Sequence, residues 1–249
     1  MSSEPKKILI LGATSAMARG TAAAFATRGD SLYLAGRDVA ELDRLASDLS
    51  VRYSVTVHHG EVDIADCDSH AAFVSRVTSE LGGIDGVVLA AGYMADQADA
   101  AADFALVEKM VAVNYLGAMS VLDQCANLLA TAGAGFIVGI SSVAGDRGRQ
   151  SNYYYGSAKA GLTAYLSGLR NRLSGQGVQV LTVKPGFVDT AMTYGLEGMF
   201  LVASPEDVGR QIVRAVEKRR NTVYLPWFWR YIMLIIRHIP EFLFKRLKL

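Results

Sequence analysis

Two adjacent serines, Ser141 and Ser142, precede the run Tyr153-Tyr154-Tyr155, and of these tyrosines only Tyr155 has a lysine, Lys159, four residues on. In a helix that spacing puts phenol and ammonium on one face. A phenol at its ordinary pKa of about 10 is a poor proton donor and acceptor near neutrality for interconverting alcohols and ketones. A neighbouring ammonium favours the phenolate and brings that pKa down, so Lys159 is expected to tune Tyr155. The bland alternatives stand beside this reading. The chain holds eleven tyrosines, a Tyr-x-x-x-Lys pair also occurs as a surface contact, and a serine after a strand is often a loop hydroxyl or helix cap.

A second group has the character of an anion site. The first apolar run leads into Gly12-Ala13-Thr14-Ser15-Ala16-Met17-Ala18 before a helical stretch. Small residues at Gly12, Ala16 and Ala18 let backbone N–H groups and a helix N-terminus approach a pyrophosphate, with Met17 in the same turn. An ordinary strand-to-helix turn is the alternative. At the end of the second strand, Arg37 offers a planar cation suited to a 2′-phosphate, pointing to NADPH over NADH, with Thr14 or Ser15 as helpers. Asp38 reads as the N-cap of a helix from Val39, with Glu41 in its first turn. Asp63-Ile64 and Ala90-Ala91-Gly92 follow the third and fourth strands, where adenine and its ribose belong, although a plain turn explains either.

Placing these residues at one edge requires a parallel sheet, and the apolar pattern predicts one. Strands are expected at Lys7 to Leu11, Ser31 to Ala35, Val55 to Glu61, Gly86 to Ala90, Gly135 to Ile140, Val178 to Val183 and Thr222 to Leu225. Helical periods fall at about 16–28, 39–50, 66–81, 103–131, 154–174 and 205–219. The expectation is an α/β, doubly wound, parallel seven-stranded sheet with helices on both faces. Residues 1–225 form its catalytic domain and 226–249 an amphipathic tail of the same domain.

With these elements in place, Gly12-xxx-Ala16-x-Ala18, Ala90-Ala91-Gly92, Asn114, Ser142, Tyr155-xxx-Lys159 and Pro185-Gly186 occur in an order and at separations that resemble the short-chain dehydrogenase/reductase family, in its compact single-domain branch. The resemblance covers residues 7–225 and implies a Rossmann-type fold. It implies that Tyr155 is the general acid/base and that Ser142, thirteen residues earlier, hydrogen-bonds the reacting oxygen. Lys159 would hold the nicotinamide ribose and Asn114 would position a water in a proton relay. Pro185-Gly186, the Val188 backbone and Thr190 would face the nicotinamide. The chain departs from the family at Ala16, Ala18 and Ala90-Ala91, which lack the usual glycines and asparagines. The implied activity is NAD(P)H-dependent reduction of a ketone, with NADP(H) preferred. The oxidative direction and a catalytically silent dinucleotide sensor or scaffold are the alternatives. A homo-oligomer built through the helices at 103–131 and 154–174 is also implied.

The 249 residues are 51% hydrophobic and 20% charged, which excludes disorder, and the net charge of +1 gives no footprint for nucleic acid. Cys67 and Cys125 form no metal or disulfide motif, no metal site is expected, and no secretion signal precedes the first strand. A cytoplasmic location follows. The near-neutral sum hides an asymmetry: residues 214–249 carry +7 and residues 1–213 carry −6. The tail from Pro226 holds both tryptophans, Trp227 and Trp229, and is too interrupted by arginines to span a bilayer. On a helical register Arg230, Arg237, His238, Glu241, Lys245 and Lys248 form one polar stripe. That pattern suits peripheral contact with a membrane or burial against another subunit or domain. The tail is similar to that of reductases of polyprenyl-phosphate-linked keto sugars, the decaprenylphosphoryl-2-keto-ribose reductase-like enzymes, which implies a lipid-linked carbonyl substrate. Met192, Tyr194, Met199 and Phe200 would wall it.

Overall fold

The structure is a computed structural model and describes residues 4–190 and 202–247. Met192, Tyr194, Met199 and Phe200 therefore lie outside the described residues. The seven strands are β1 (Lys7–Leu11), β2 (Ser31–Gly36), β3 (Val57–Glu61), β4 (Gly86–Leu89), β5 (Gly135–Ile140), β6 (Val178–Pro185) and β7 (Thr222–Leu225). They pair in parallel in the order β3-β2-β1-β4-β5-β6-β7. The order reverses between β1 and β4, so the loops leaving these two strands part and open a crevice at the carboxyl edge.

Helices cross over on both faces: α1 (Ala16–Ala26), α2 (Val39–Tyr53), α3 (His70–Leu81), α4 (Gln97–Ala102), α5 (Phe104–Val111), α6 (Gly117–Ala132), α7 (Tyr153–Leu173) and α8 (Pro205–Glu217). Strands buried on both sides need apolar residues in succession, and β1 supplies four from Ile8 to Leu11. Ile8 and Ile10 pack with Phe25, Leu42 and Ile212 under α1, α2 and α8, while Leu9 and Leu11 pack with Val77, Leu122 and Leu166 under α3, α6 and α7. Each such side chain stabilises the fold by about 1.5–3 kcal/mol. Helices α1 and α8 approach closely where Gly20 meets Gly209: a Cβ on either would lie 2.3 Å from backbone atoms of the other segment.

Four expectations change in detail. The single helix expected at 103–131 is α5, a π-helical turn over Ala112–Leu116, and α6. The helix α4 was not expected, because its alanine-rich sequence has no apolar stripe; it is nucleated by Asp96, whose carboxylate accepts from the amides of Ala98 and Asp99. The helix expected from residue 66 starts at His70, after a short 3₁₀ turn. Strand β3 begins at Val57, β4 ends at Leu89, and β6 runs on to Pro185.

The tail forms α9 (Trp229–His238) and α10 (Glu241–Phe244). Pro240 separates them by holding Ile239 extended, at ψ 123°. Arg147, in the loop after β5, fixes the tail by donating to the carbonyls of Ile236 and Ile239, pairing with Glu241 and stacking on Phe244. The expected polar stripe is thus not continuous, since Arg237 reaches Tyr224 and Glu241 is taken by Arg147. Trp229 is also not at a solvent boundary: it and Met233 are buried against Val143, packed by Phe187.

Candidate active site

Tyr155 projects from the first turn of α7 and is buried, beside Ala144, Met110 and Tyr93. Burial pushes its phenol up to about 12, and the Ser142 hydroxyl, its hydrogen-bonding neighbour, pulls the other way. Lys159, one turn on and 3% exposed, has its ammonium 5.7 Å from the centroid of the Tyr155 ring. Burial draws that ammonium down to about 8, and it donates to the carbonyl of Ile140 at 3.1 Å. The spacing argument therefore needs correction. Tyr155 and Lys159 share a face as expected, but desolvation governs the phenol, opposed only by the Ser142 hydroxyl, and its pKa is raised, not lowered.

The two serines divide their work. Ser141 is buried and donates to the carbonyl of Lys159 at 2.9 Å, with Thr163 Oγ1 at 2.7 Å, so it fastens β5 to α7. Ser142 caps the following 3₁₀ turn, accepting from the Ala144 amide, and is the hydroxyl beside the phenol. The loop lies close on α7: a Cβ on Gly145 would stand 2.7 Å from the Lys159 carbonyl carbon.

Asn114 sits in the π-helical turn, fully buried. Its Nδ2 donates to the carbonyls of Tyr93 and Met110 at 2.6 and 2.8 Å, and its Oδ1 accepts from the Tyr93 amide at 3.2 Å. Met110 is the residue whose carbonyl would accept from the Asn114 amide in a regular α-helix, so the side chain takes over a ladder position as the turn widens. The carboxamide is committed to holding Tyr93, a residue the sequence reading missed. Both Nδ2 hydrogens are thereby spent on protein carbonyls.

The expected dinucleotide residues gather at the carboxyl edge of β1, β2, β3 and β4. Gly12 turns at φ +77°, and a Cβ there would lie 2.5 Å from the Ala91 amide, so only glycine fits between β1 and the Ala90-Ala91 segment. Ser15 caps α1 by accepting from the Ala18 amide, and Thr14 offers its carbonyl to Arg19. The amides of Ala16 and Met17 make no hydrogen bond to described residues. A helix N-terminus with two unspent donors fits a pyrophosphate. Asp38 is the N-cap of α2, accepting from the Glu41 amide, which leaves exposed Arg37 as the cation at the tip of β2. Asp63 is exposed and accepts from the Ala65 amide, while the Ile64 carbonyl abuts Gly117; Gly92, after β4, is exposed. The buried Lys159 ammonium, with one protein acceptor, fits a ribose diol.

Pro185 ends β6, which pairs with β5, and Gly186 follows it. The Gly186 amide donates to the Leu225 carbonyl, and Trp229 fills the space beside it. Val188 is bridged to Ala203 through the amides of Asp189 and Ala203, and Thr190 ends this described stretch. Beneath lies a network the sequence did not signal. Lys184 and Tyr224 both bond the carboxylate of Asp146, at 2.5 and 2.7 Å, tying β6 and β7 to the loop that carries Ser142.

Against known proteins, the chain matches the short chain dehydrogenase family over residues 6–198. It is 38% identical over 219 residues to an uncharacterized oxidoreductase of Mycobacterium tuberculosis, covering 88% of each chain. Among solved structures, it superposes on a short-chain dehydrogenase from Sphingobium yanoikuyae in complex with NADPH with a TM-score of 0.82, at 23% identity and 95% and 97% coverage. An actinorhodin polyketide ketoreductase with NADPH gives a TM-score of 0.77 at 22% identity, covering 86% of this chain and 91% of that one. At these identities the structural likeness is one of fold.

Proposed function

The chain belongs to the short-chain dehydrogenase family, and from that premise we propose that it is an NADPH-dependent reductase converting a ketone to a secondary alcohol. The observation that carries this reading is the half-buried Ser142 set against the buried Tyr155 and Lys159, at the end of β5 and the start of α7. A bound NADPH supplies the hydride. Tyr155, protonated across the physiological range because burial holds its pKa up, delivers its proton to the oxygen that gains negative charge. Ser142 donates a hydrogen bond to the same oxygen, which strengthens as charge develops. Lys159 holds the ribose and keeps a positive charge beside the phenolate that Tyr155 becomes. Asn114 positions Tyr93, and with it the strand-end segment that packs on Tyr155.

The preference for NADPH rests on Arg37 standing exposed while Asp38 is spent as a helix cap. The solved neighbours holding NADPH are consistent with that choice. Apolar Met94, Tyr93, Ala144 and Tyr154 around Tyr155 favour a substrate that is apolar near its carbonyl, a lipidic ketone or a lipid-linked keto sugar among them. A screen of carbonyl compounds followed by NADPH absorbance tests this: turnover of apolar ketones with NADPH, and much weaker turnover with NADH, is the expected result. No oxidation of NADPH with any ketone, or equal rates with NADH, would overturn it.

A further inference from the structure

Helices α9 and α10 present two opposed apolar faces, and only one of them is used. Trp229, Ile232, Met233 and Ile236 face the protein and pack around Val143 and Phe187. On the other side Trp227 (68% exposed), Tyr231, Leu234, Ile235 (68%), Phe242 (61%) and Leu243 all stand in solvent. Trp227 and Tyr231 are in edge-to-face contact, with ring centroids 6.0 Å apart, so this is a connected patch of large apolar and aromatic side chains and not scattered exposure.

We infer that this outward face docks the protein on an anionic lipid bilayer. The charges choose the occupant. Exposed Arg230, Arg237, Lys245 and Arg246 flank the patch, and the one acid of residues 226–249, Glu241, is paired with Arg147. An apolar surface rimmed by cations that pair with no acid among the described residues complements phosphate headgroups, with Trp and Tyr rings at the boundary and Lys and Arg reaching outward. Against a second copy in a two-fold contact the same rim would set cations against cations. The −6 charge of residues 1–213 resists approach of the rest of the surface to an anionic membrane, so the tail is the part that can land. Ten residues of α9, about 15 Å of helix, lie on a bilayer and do not cross it. Because α9 is seated on Val143 and Gly186, docking would bring the loops after β5 and β6 next to the lipid. This inference does not depend on the reaction proposed above.

The test is flotation of the full chain with vesicles of phosphatidylcholine alone or with roughly 30 mol% phosphatidylglycerol. The protein should float with the anionic vesicles, largely release at about 0.5 M salt and stay unbound with phosphatidylcholine alone. The triple variant Trp227→Ser, Ile235→Ser, Phe242→Ser should lose binding about tenfold or more, with unchanged melting temperature because all three side chains are exposed. Absence of flotation with anionic vesicles, or full binding by the triple variant, overturns the inference. So does a wild type that self-associates in sedimentation and a triple variant that does not, with neither floating, since the face then belongs to a second copy.

Discussion

Trp229 occupies the space that a side chain at position 186 would need: a Cβ on Gly186 would fall 2.0 Å from Cε2 and Nε1 of the indole. The C-terminal helix thereby buttresses the Pro185-Gly186 turn and, through Val143, the loop that bears Ser142. Gly186→Ala should lower both melting temperature and NADPH turnover, and Trp229→Leu should do so by opening a cavity, at a cost of about 1–3 kcal/mol. Combined, the two should lose less than the sum, with a coupling of roughly 0.5–3 kcal/mol in denaturant titrations. Additive losses would contradict the contact.

The serines offer a clean separation. Ser142→Ala should reduce kcat by about a hundredfold, because its hydroxyl acts on the reacting oxygen, with a fall in melting temperature limited to the lost cap on the 3₁₀ turn. Ser141→Ala should instead destabilise the fold by about 1 kcal/mol, through the lost bond to the Lys159 carbonyl, and cost activity less. Thermal melts and steady-state kinetics on both variants distinguish these roles.

Lys159 makes stability depend on pH in a defined sense. Its ammonium titrates near 10.5 when unperturbed and at about 8 in the folded protein. Between those values the unfolded chain holds the extra proton, so stability rises with pH across that window, by up to about 1.4 kcal/mol per unit. Tyr155, raised from 10.0 to about 12, then makes stability fall above pH 10. Lys159→Met should abolish the rising limb in thermal melts and, at pH 7, melt above the wild type while losing turnover. Parallel pH profiles for the two proteins would contradict the burial argument.

For the cofactor, Arg37→Ala should raise KM for NADPH by roughly tenfold or more, the size expected for a charge-assisted contact, and leave KM for NADH nearly unchanged. Equal losses with both would remove Arg37 from the 2′-phosphate.

How much of this was legible beforehand follows the physics of each feature. Strands buried on both faces, β1, β2, β4, β5 and β6, announce themselves as apolar runs, and the outer strands β3 and β7 follow from their spacing after helical segments, so all seven lie within about two residues of the expected bounds. The Tyr155 and Lys159 face follows from helical spacing alone. The direction of the Tyr155 pKa does not, because it is decided by how deeply the phenol is buried, and depth is a tertiary property. Ser141 and Ser142 are indistinguishable by type; only the pairing of β5 with α7 turns one hydroxyl toward Lys159 and the other toward Tyr155. The π-helical turn escaped notice because the bonds that accompany it, from the Asn114 carboxamide to Met110 and Tyr93, include one between residues 21 apart. The tail pattern was read as one polar stripe. Pro240 and Arg147 broke it, and Trp229 turned inward to fill a void that glycine at 186 creates.

The central claim is that Tyr155 transfers the proton while other groups hold the dinucleotide. Tyr155→Phe removes the one oxygen and keeps the ring. Stopped-flow NADPH oxidation with an accepted ketone, set beside NADPH binding by nucleotide fluorescence, tests it most directly. The expected result is a loss of turnover of about 10²–10⁴-fold with the NADPH Kd within about threefold of wild type. Turnover retained near the wild-type rate would contradict the account.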